Sequence, residues 1–223
     1  VAAVQQSGAD PVAAVPAENA TAAKEFDRRS IAVLPFENMS GDSENEYFSD
    51  GIAEEILNLL VKLPQLRVAS RTSSFVLKGQ QLNVAEAGAI LKVGTLLEGS
   101  VRRAGDRVRI TAQLIDVRTD SHLWSETYDR DMTDIFAIQD DIARCIVAAL
   151  EVTLTPKERR ALMTVATENT QAYDYYLRGR RYFYLFTRRQ FHNAIRMFKK
   201  AIELDPNYAL AYAGMADAYS LLY

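Results

Sequence analysis

The most constraining feature of the sequence is a short Gly-containing connection between two long runs that suit β-strands. Ala104-Gly105-Asp106 separates residues 95–103 from residues 107–117. Apolar and polar residues alternate along the second run, with Val108, Ile110, Ala112 and Leu114 on one side and Arg107, Arg109, Thr111 and Gln113 on the other. This alternation is typical of a strand with one buried face, and the connection predicts a β-hairpin. After a second turn at residues 118–120, residues 122–128 favour a third strand, so we predict a three-stranded antiparallel meander.

The segments around the meander predict alternating strands and helices. The predicted elements are a strand at 31–36, a helix at 51–63 capped by Ser49 or Asp50, a strand at 67–70, a helix at 84–93 capped by Asn83, and a helix from 133 or 134 to 150. Each helix carries apolar residues at helical spacing on one side. We therefore predict an α/β domain over residues 30–152, with a mixed sheet that contains the meander and helices packed on it.

The remainder of the chain has a different composition. Residues 1–29 are rich in Ala, Val, Pro, Gln and Asn and predict a linker or disordered arm, and the missing initiator Met suggests a piece of a larger protein. Residues 153–171 predict a linker or connecting helix. Beyond them the pattern predicts helices at 173–186 and 190–204, joined by a turn at 187–189, and a third helix from near 209. Residues 172–223 thus read as the start of an all-α helical-repeat array.

Composition and charge exclude several functional classes for this stretch. The 223 residues carry a formal net charge of −3, so there is no overall basic field to attract nucleic acid. The single cysteine, Cys145, falls in an apolar helical pattern and predicts a buried thiol. No apolar run approaches the roughly 20 residues that span a bilayer, and residues 1–29 lack a signal-peptide pattern, so we expect no membrane insertion.

Several sequence blocks lie in order across residues 30–150. They are SIAVLPF at 30–36, NMSGD at 38–42, YFSDGI at 47–52, LEGSVRR at 97–103, VRITAQLID at 108–116 and HLWSE at 122–126. These blocks resemble the TolB N-terminal-like domain of bacterial multidomain proteins. The resemblance implies a non-catalytic interaction or sensor domain, similar to those that follow class III adenylate cyclase or winged-helix DNA-binding domains and precede tetratricopeptide repeats.

A second resemblance lies in the helical segment. Small residues, an aromatic residue and a terminal proline stand at characteristic spacings, at Gly179, Tyr182, Ala194, Phe198, Ala201 and Pro206, and a second unit begins with Tyr212, Met215, Ala216 and Tyr219. This pattern resembles the tetratricopeptide repeat (TPR), with one full repeat and the first helix of a second. Because residues 179–194 span three more residues than the pattern, we expect an extended turn around residues 186–190.

Polar and charged groups that suggest chemistry each have a simpler structural interpretation. The acidic stretch 40–50 follows a strand where α/β folds bind phosphate, but its carboxylates would repel an anion, so a solvated loop with helix caps is favoured over a ligand site. Asp129, Asp131 and Asp134 suggest a metal cluster, although capping of the next helix explains them more simply. His122 and His192 lack zinc-site spacing. We therefore predict no catalytic residue, metal or cofactor.

Two surfaces are candidates for protein contacts. Four arginines, at 102, 103, 107 and 109, bracket the hairpin tip and predict either a solvated strand edge or a basic patch that contacts an acidic partner or another domain of the same protein. The TPR resemblance, aligned on Gly179, implies a concave face that binds extended peptides. That face would consist of Tyr173, Tyr176, Arg180, Phe183 and Tyr184.

The combined prediction is a regulatory and protein-interaction fragment of a bacterial signalling protein. The helical segment would bind a protein or peptide partner and the α/β domain would relay that binding, with a homodimer as one further option. One alternative is the regulatory region of an adenylate cyclase whose catalytic domain lies upstream. Another is the sensor part of a winged-helix transcriptional regulator. A cytoplasmic location is expected, and the periplasmic side of the inner membrane is the alternative.

Overall fold

The computed structural model describes residues 27–162 and 166–222, and its centre is a six-stranded mixed sheet. The strands are β1 (Ser30–Val33), β2 (Glu37–Asn38), β3 (Arg67–Val68), β4 (Thr95–Ala104), β5 (Arg107–Asp116) and β6 (Ser121–Asp131). The strand order is β3-β1-β4-β5-β6, and β2 pairs with β4 beyond the end of β1. The predictions for residues 1–26 fall outside the described residues.

The sheet as a whole is not an antiparallel meander, because only part of it is antiparallel. β1 pairs in parallel with β3 and β4, and β2 pairs in parallel with β4. β4, β5 and β6 pair antiparallel in sequence order, with Ala104 opposite Arg107 at the hairpin. The hairpin prediction is therefore confirmed, whereas the parallel pair β2·β4 was not predicted. Gly105 adopts a left-handed conformation (φ 59°) that favours glycine at this turn.

Helices cover the sheet on two faces. They are α1 (Glu46–Val61), α2 (Arg71–Phe75), α3 (Val84–Leu91) and α4 (Ile135–Ala149). The larger core lies between the sheet and helices α1 and α4, and it includes Ile31, Leu97, Ile110, Ile56 and Ile142. A smaller core on the opposite face packs α3 against β1 and β4 through Ala32, Ala87, Leu91 and Leu96. The expected α/β layering is present.

The predicted N-terminal cap is confirmed for α3 and wrong for α1. Asn83 caps α3 in a reciprocal capping box with Glu86, as predicted. α1 begins at Glu46, so Ser49 and Asp50 lie inside the helix and the prediction that they cap it is wrong. A 3-10 turn at Ser43–Asn45, capped by Asp42, leads directly into α1, so the helix starts earlier than the predicted residue 51.

Four helices follow the α/β part: α5 (Pro156–Leu162), α6 (Thr170–Phe183), α7 (Arg188–Leu204) and α8 (Ala209–Ser220). α6 packs closely on α7, and α8 packs on α7. The predicted turn at 187–189 is wrong, because Thr187 caps α7 and residues 188 and 189 are helical. The connection runs instead through Tyr184 to Thr187, with Phe186 in a left-handed conformation. The predicted domain limits stay predictions.

Candidate interaction surface

The helical segment is fixed to the α/β part through the contact between α6 and α1. One hydrophobic cluster continues from the sheet across α1 into α6, α7 and α8. Leu177 of α6 lies against Gly51 of α1, where a Cβ atom would stand 2.7 Å from the leucine Cδ atoms. The close approach of the two helices therefore depends on a bare backbone at position 51.

A buried ion-pair cluster forms at one end of this contact. Glu54 of α1 is only 4% exposed and accepts a hydrogen bond from Arg71 Nε at 2.8 Å. Its other carboxylate oxygen accepts from Arg180 of α6 and from the Tyr184 hydroxyl at 3.0 Å. The Arg71 guanidinium also stacks over the Tyr184 ring, 3.5 Å from the ring centroid. The single carboxylate thus binds two arginines and a tyrosine from separate segments.

Burial within this cluster changes the ionisation of its partners. Burial and the negative charge of Glu54 raise the pKa of Tyr184 to about 12, so its hydroxyl stays a donor at neutral pH. Burial alone would lower the pKa of Arg180, but the Glu54 carboxylate outweighs that effect and the pKa is raised. Tyr184 therefore stays neutral and Arg180 stays charged across the physiological range.

A second polar cluster joins α6 to both α1 and the hairpin. Asp174 of α6 accepts hydrogen bonds from the Tyr47 hydroxyl at 2.5 Å, from Arg103 Nη1 at 2.7 Å and from Arg178 Nε at 2.8 Å. Burial would raise the pKa of Asp174, but these hydrogen bonds and positive charges hold it below the usual value. Burial and the bond to Asp174 raise the pKa of Tyr47 to about 12. Asp174 therefore remains ionised down to acidic pH.

The five residues predicted to form a peptide-binding face lie at this contact. Tyr173 is buried against Phe136 of α4, Tyr176 is buried against Phe198 and Tyr208 of the helical segment, and Arg180 pairs with Glu54. Phe183 and Tyr184 are half-buried, and their rings contact each other at a centroid distance of 5.6 Å. The five residues follow one another along α6 and its C-terminal end, and Glu54 of α1 binds two of them, Arg180 and Tyr184. Peptide binding there stays a prediction.

The hairpin arginines do not form a free basic patch. Arg107 pairs with one carboxylate oxygen of Asp129 at 2.7 Å, and Arg109 pairs with the other. Arg107 also pairs with Asp131 at 3.2 Å. Arg103 belongs to the Asp174 cluster. The prediction that Asp129 and Asp131 cap the next helix is wrong. Both lie on β6, and their carboxylates pair with arginines of the neighbouring strand β5. Asp134 precedes α4 but makes no side-chain cap.

Other groups that the sequence singled out have structural roles. Asp42 accepts from the Glu44 amide at 2.8 Å, and Lys78 pairs with Asp50 at 2.5 Å, so two acidic residues of the 40–50 stretch have partners. His192 lies exposed on α7, with Nδ1 2.8 Å from the Arg188 carbonyl oxygen. Within the described residues no group of three or more His, Cys, Asp or Glu side chains is placed to hold a metal. No described helix has the length and apolar character needed to cross a bilayer.

Sequence reasoning missed Glu54 and Arg71, two of the four residues of the buried ion-pair cluster. One signal was available. α1 buries Tyr47, Gly51 and Glu54 in addition to the apolar stripe that faces the sheet. A helix with apolar or small residues on a second side indicates a second packing partner.

Comparison with known proteins adds a sequence relative. The chain is 46% identical over 187 residues to "Putative adenylate cyclase 3" of Rhizobium meliloti (strain 1021), a match that covers 84% of this chain and 32% of that protein. The chain thus spans about a third of the length of this relative. No protein-family model matches the chain.

Solved structures give weaker similarities. TolB from Acinetobacter baumannii is 19% identical with a TM-score of 0.41, over 54% of this chain and 28% of that one. Lipoprotein GNA1162 from Neisseria meningitidis is 19% identical with a TM-score of 0.41, over 57% of this chain and 99% of that one. The LpoB C-terminal domain from Salmonella enterica is 16% identical with a TM-score of 0.36, over 48% of this chain and 84% of that one.

Proposed function

We propose that this chain is a non-catalytic regulatory and protein-interaction region of a bacterial adenylate-cyclase-type signalling protein. The observation that carries the proposal is the docking of α6 on α1 through the Glu54 and Asp174 clusters. A partner that binds the helical segment would alter the contacts of α6 with α1, α2 and β4, because these three elements supply the other groups of the two clusters. The α/β part would then relay the presence of a partner to an effector domain.

The identity of the effector is inferred from the Rhizobium relative. A region that is 46% identical in sequence and makes up 32% of a protein named as an adenylate cyclase supports a role beside a cyclase domain. ATP, the substrate of such an enzyme, is a cytoplasmic nucleotide, so the proposal includes a cytoplasmic location. The sequence blocks at 30–126 support naming the α/β part TolB-like.

Packing in the helical segment supports the TPR proposal. Phe198 of α7 is fully buried between two glycines, Gly179 of α6 and Gly214 of α8. A Cβ atom at these positions would stand 2.5 Å and 2.7 Å from the ring. One side chain of α7 thus packs against both α6 and α8, as expected if α6 and α8 are equivalent helices of successive units.

A chimeric cyclase tests the proposal. The matching region of the Rhizobium relative is replaced by this chain, and cyclic AMP synthesis is compared with that of the unmodified protein and of a version lacking the region. We expect the chimera to be active, and Glu54→Gln to change its rate by about threefold or more, because the ion pairs with Arg71 and Arg180 both lose their negative charge. Glu203→Gln, at an exposed pair on α7, is the matched control. Equal rates with the region present, altered or deleted would contradict the proposal.

A further inference from the structure

The hairpin of helices α6 and α7 concentrates positive charge. Eight of the 26 Lys and Arg residues of the chain lie within residues 175–202, and none of its 29 Asp and Glu residues does. The whole chain, by contrast, has a net charge of −3. The hairpin is therefore a strongly basic region of an otherwise acidic chain.

Helical spacing brings much of this charge to one side of α7. The residues that we call the basic row recur at intervals of three or four positions and are all exposed: Arg188, His192, Arg196 and Lys199. Such intervals keep side chains on one face of a helix, and Arg189 and Lys200 lie beside the row. The other side of α7 is buried through Phe191, Ala194, Ile195, Phe198 and Ala201. The basic row thus extends for about 17 Å along the solvent side of the helix.

The charges of the basic row are not neutralised by carboxylates of the protein. Within the part of the chain that the structure describes, Arg188, Arg196 and Lys199 form no ion pair, and neither does Arg189. The Arg196 guanidinium donates to the side-chain oxygen of Asn193 at 2.7 Å, which is a neutral acceptor. These cations therefore create a positive potential that attracts a negatively charged surface.

Two large apolar side chains are exposed at the N-terminal end of the basic row. Leu185 is 52% exposed and Phe186 is 63% exposed, and they directly precede Thr187, which caps α7. Phe186 has a left-handed backbone conformation, φ 47°, which costs less for glycine or asparagine. Its ring contacts Phe183 and Phe191 at centroid distances of 5.8 Å and 6.0 Å but stays mostly in solvent. A large ring held in a strained and exposed position indicates an apolar contact beyond the described residues.

We propose that the basic row, together with Leu185 and Phe186, binds the surface of an anionic lipid bilayer. The guanidinium and ammonium groups contact the lipid phosphates, and the two apolar side chains enter the boundary between headgroups and acyl chains. A bilayer offers negative charge and an apolar layer side by side, and a convex helix face reaches both without a matching groove. A nucleic acid duplex matches the charges alone, and an acidic protein must also provide a pocket for Phe186. This surface contact goes beyond the proposed regulatory function and stands without it.

Sedimentation with lipid vesicles tests the role of the charges. The 223-residue chain is mixed with vesicles of phosphatidylglycerol and phosphatidylcholine in equal amounts, or of phosphatidylcholine alone. We expect binding to the anionic vesicles only, and weaker binding at higher salt, because salt screens exposed charges. Arg196→Ala combined with Lys199→Ala should lower the partition coefficient about 20-fold, since each cation near an anionic surface contributes about fivefold.

The matched control removes the same charge from another exposed helix. Lys157→Ala combined with Arg159→Ala, on α5, should lower the partition coefficient by less than about twofold, because these side chains lie outside the proposed surface. All four substituted side chains are exposed, so both double variants should unfold at the same urea concentration as the wild type.

A second variant tests the apolar end. Asparagine adopts the left-handed conformation at lower cost than phenylalanine, so Phe186→Asn should be at least as resistant to urea as the wild type. Its partition into anionic vesicles should nevertheless fall about tenfold or more, because the transfer of a phenyl ring out of water is lost. Vesicle binding by Phe186→Asn equal to that of the wild type would overturn the proposal.

Polyglutamate and a DNA duplex represent the other negatively charged partners. If either of them binds the chain and the vesicles do not, the basic row serves an acidic protein segment or a nucleic acid, and the bilayer proposal is wrong. Equal binding to neutral and anionic vesicles, no binding to either, or an equal loss of binding in the α5 variant would also overturn it.

Discussion

Asp174 and Glu54 each join three elements, counting their own, so single side chains influence the contact between the two parts of the chain. Asp174 joins α6 to Tyr47 of α1 and Arg103 of β4. Glu54 joins α1 to Arg71 of α2 and to Arg180 of α6. Removal of one member leaves buried charges without partners, which costs more free energy than the pair contributes when intact.

The pH dependence of stability should reveal the Asp174 cluster. The pKa of Asp174 is lowered in the folded state, so the folded state binds the proton more weakly than the unfolded state. The resulting stabilisation is fully present above the unfolded pKa of about 3.9 and is lost as pH falls through the lower folded pKa. In Asp174→Asn we expect the free energy of unfolding at pH 7 to fall by about 1–3 kcal/mol.

Chemical denaturation between pH 3 and pH 7 measures this difference. The difference between the wild type and Asp174→Asn should shrink as the pH falls below about 4. Asp217→Asn, on the exposed side of α8, serves as the control and should change stability by less than about 0.5 kcal/mol. A gap between wild type and Asp174→Asn that stays constant down to pH 3 would argue against the ionised cluster.

At the scale of elements, close packing of the helical segment depends on glycine. Gly179 of α6 lies against the Phe198 ring, and a Cβ atom there would stand 2.5 Å from Cε1. Alanine at a helix interior normally stabilises by about 1 kcal/mol relative to glycine. Here the ring is fully buried and cannot move without disturbing α8, which touches its other side through Gly214.

We therefore expect Gly179→Ala to lower the free energy of unfolding by about 1–3 kcal/mol, despite its better helix propensity. Urea denaturation followed by circular dichroism measures the change. Gly41→Ala is the matched control, since no atom lies within 4 Å of the position of its Cβ. A smaller ring in Phe198→Leu should reduce the cost of Gly179→Ala, and additive effects of the two changes would show that the clash is not the cause.

The elements themselves were predictable to the extent that their signals are local. Alternation along residues 107–114 and the Gly105 turn identified β4 and β5, and Asn83 identified the start of α3. The pairing of β2 with β4 was not predictable, because two residues carry no periodicity. The start of α1 was placed too late because the 3-10 turn before it resembles a polar loop.

The candidate site was less predictable, since its contacts join distant parts of the sequence. The spacing of Tyr173, Tyr176 and Arg180 on α6 was visible, but the groups that contact them were not. Glu54 lies well over a hundred residues before Arg180, and neither belongs to a motif. Only the second buried side of α1 hinted that another helix packs there.

At the scale of the whole molecule, the α/β part and the helical segment share one hydrophobic cluster. Leu177 is buried at the centre of their contact, and Gly51 of α1 lies directly against it. Two parts that share a core of this kind should unfold together, because exposure of either one removes burial from the other. Cooperative unfolding is also what a relay of partner binding requires.

Differential scanning calorimetry of the 223-residue chain should therefore show one transition, with equal calorimetric and van't Hoff enthalpies. Leu177→Asp places a carboxylate in an apolar contact and removes the leucine side chain from it, and we expect this variant to unfold in two separate transitions. Leu177→Met keeps the volume and the apolar character, so a single transition should persist at a slightly lower temperature. If the wild type itself unfolded in two transitions, the contact between α1 and α6 would be too weak to pass the effect of a bound partner to the sheet.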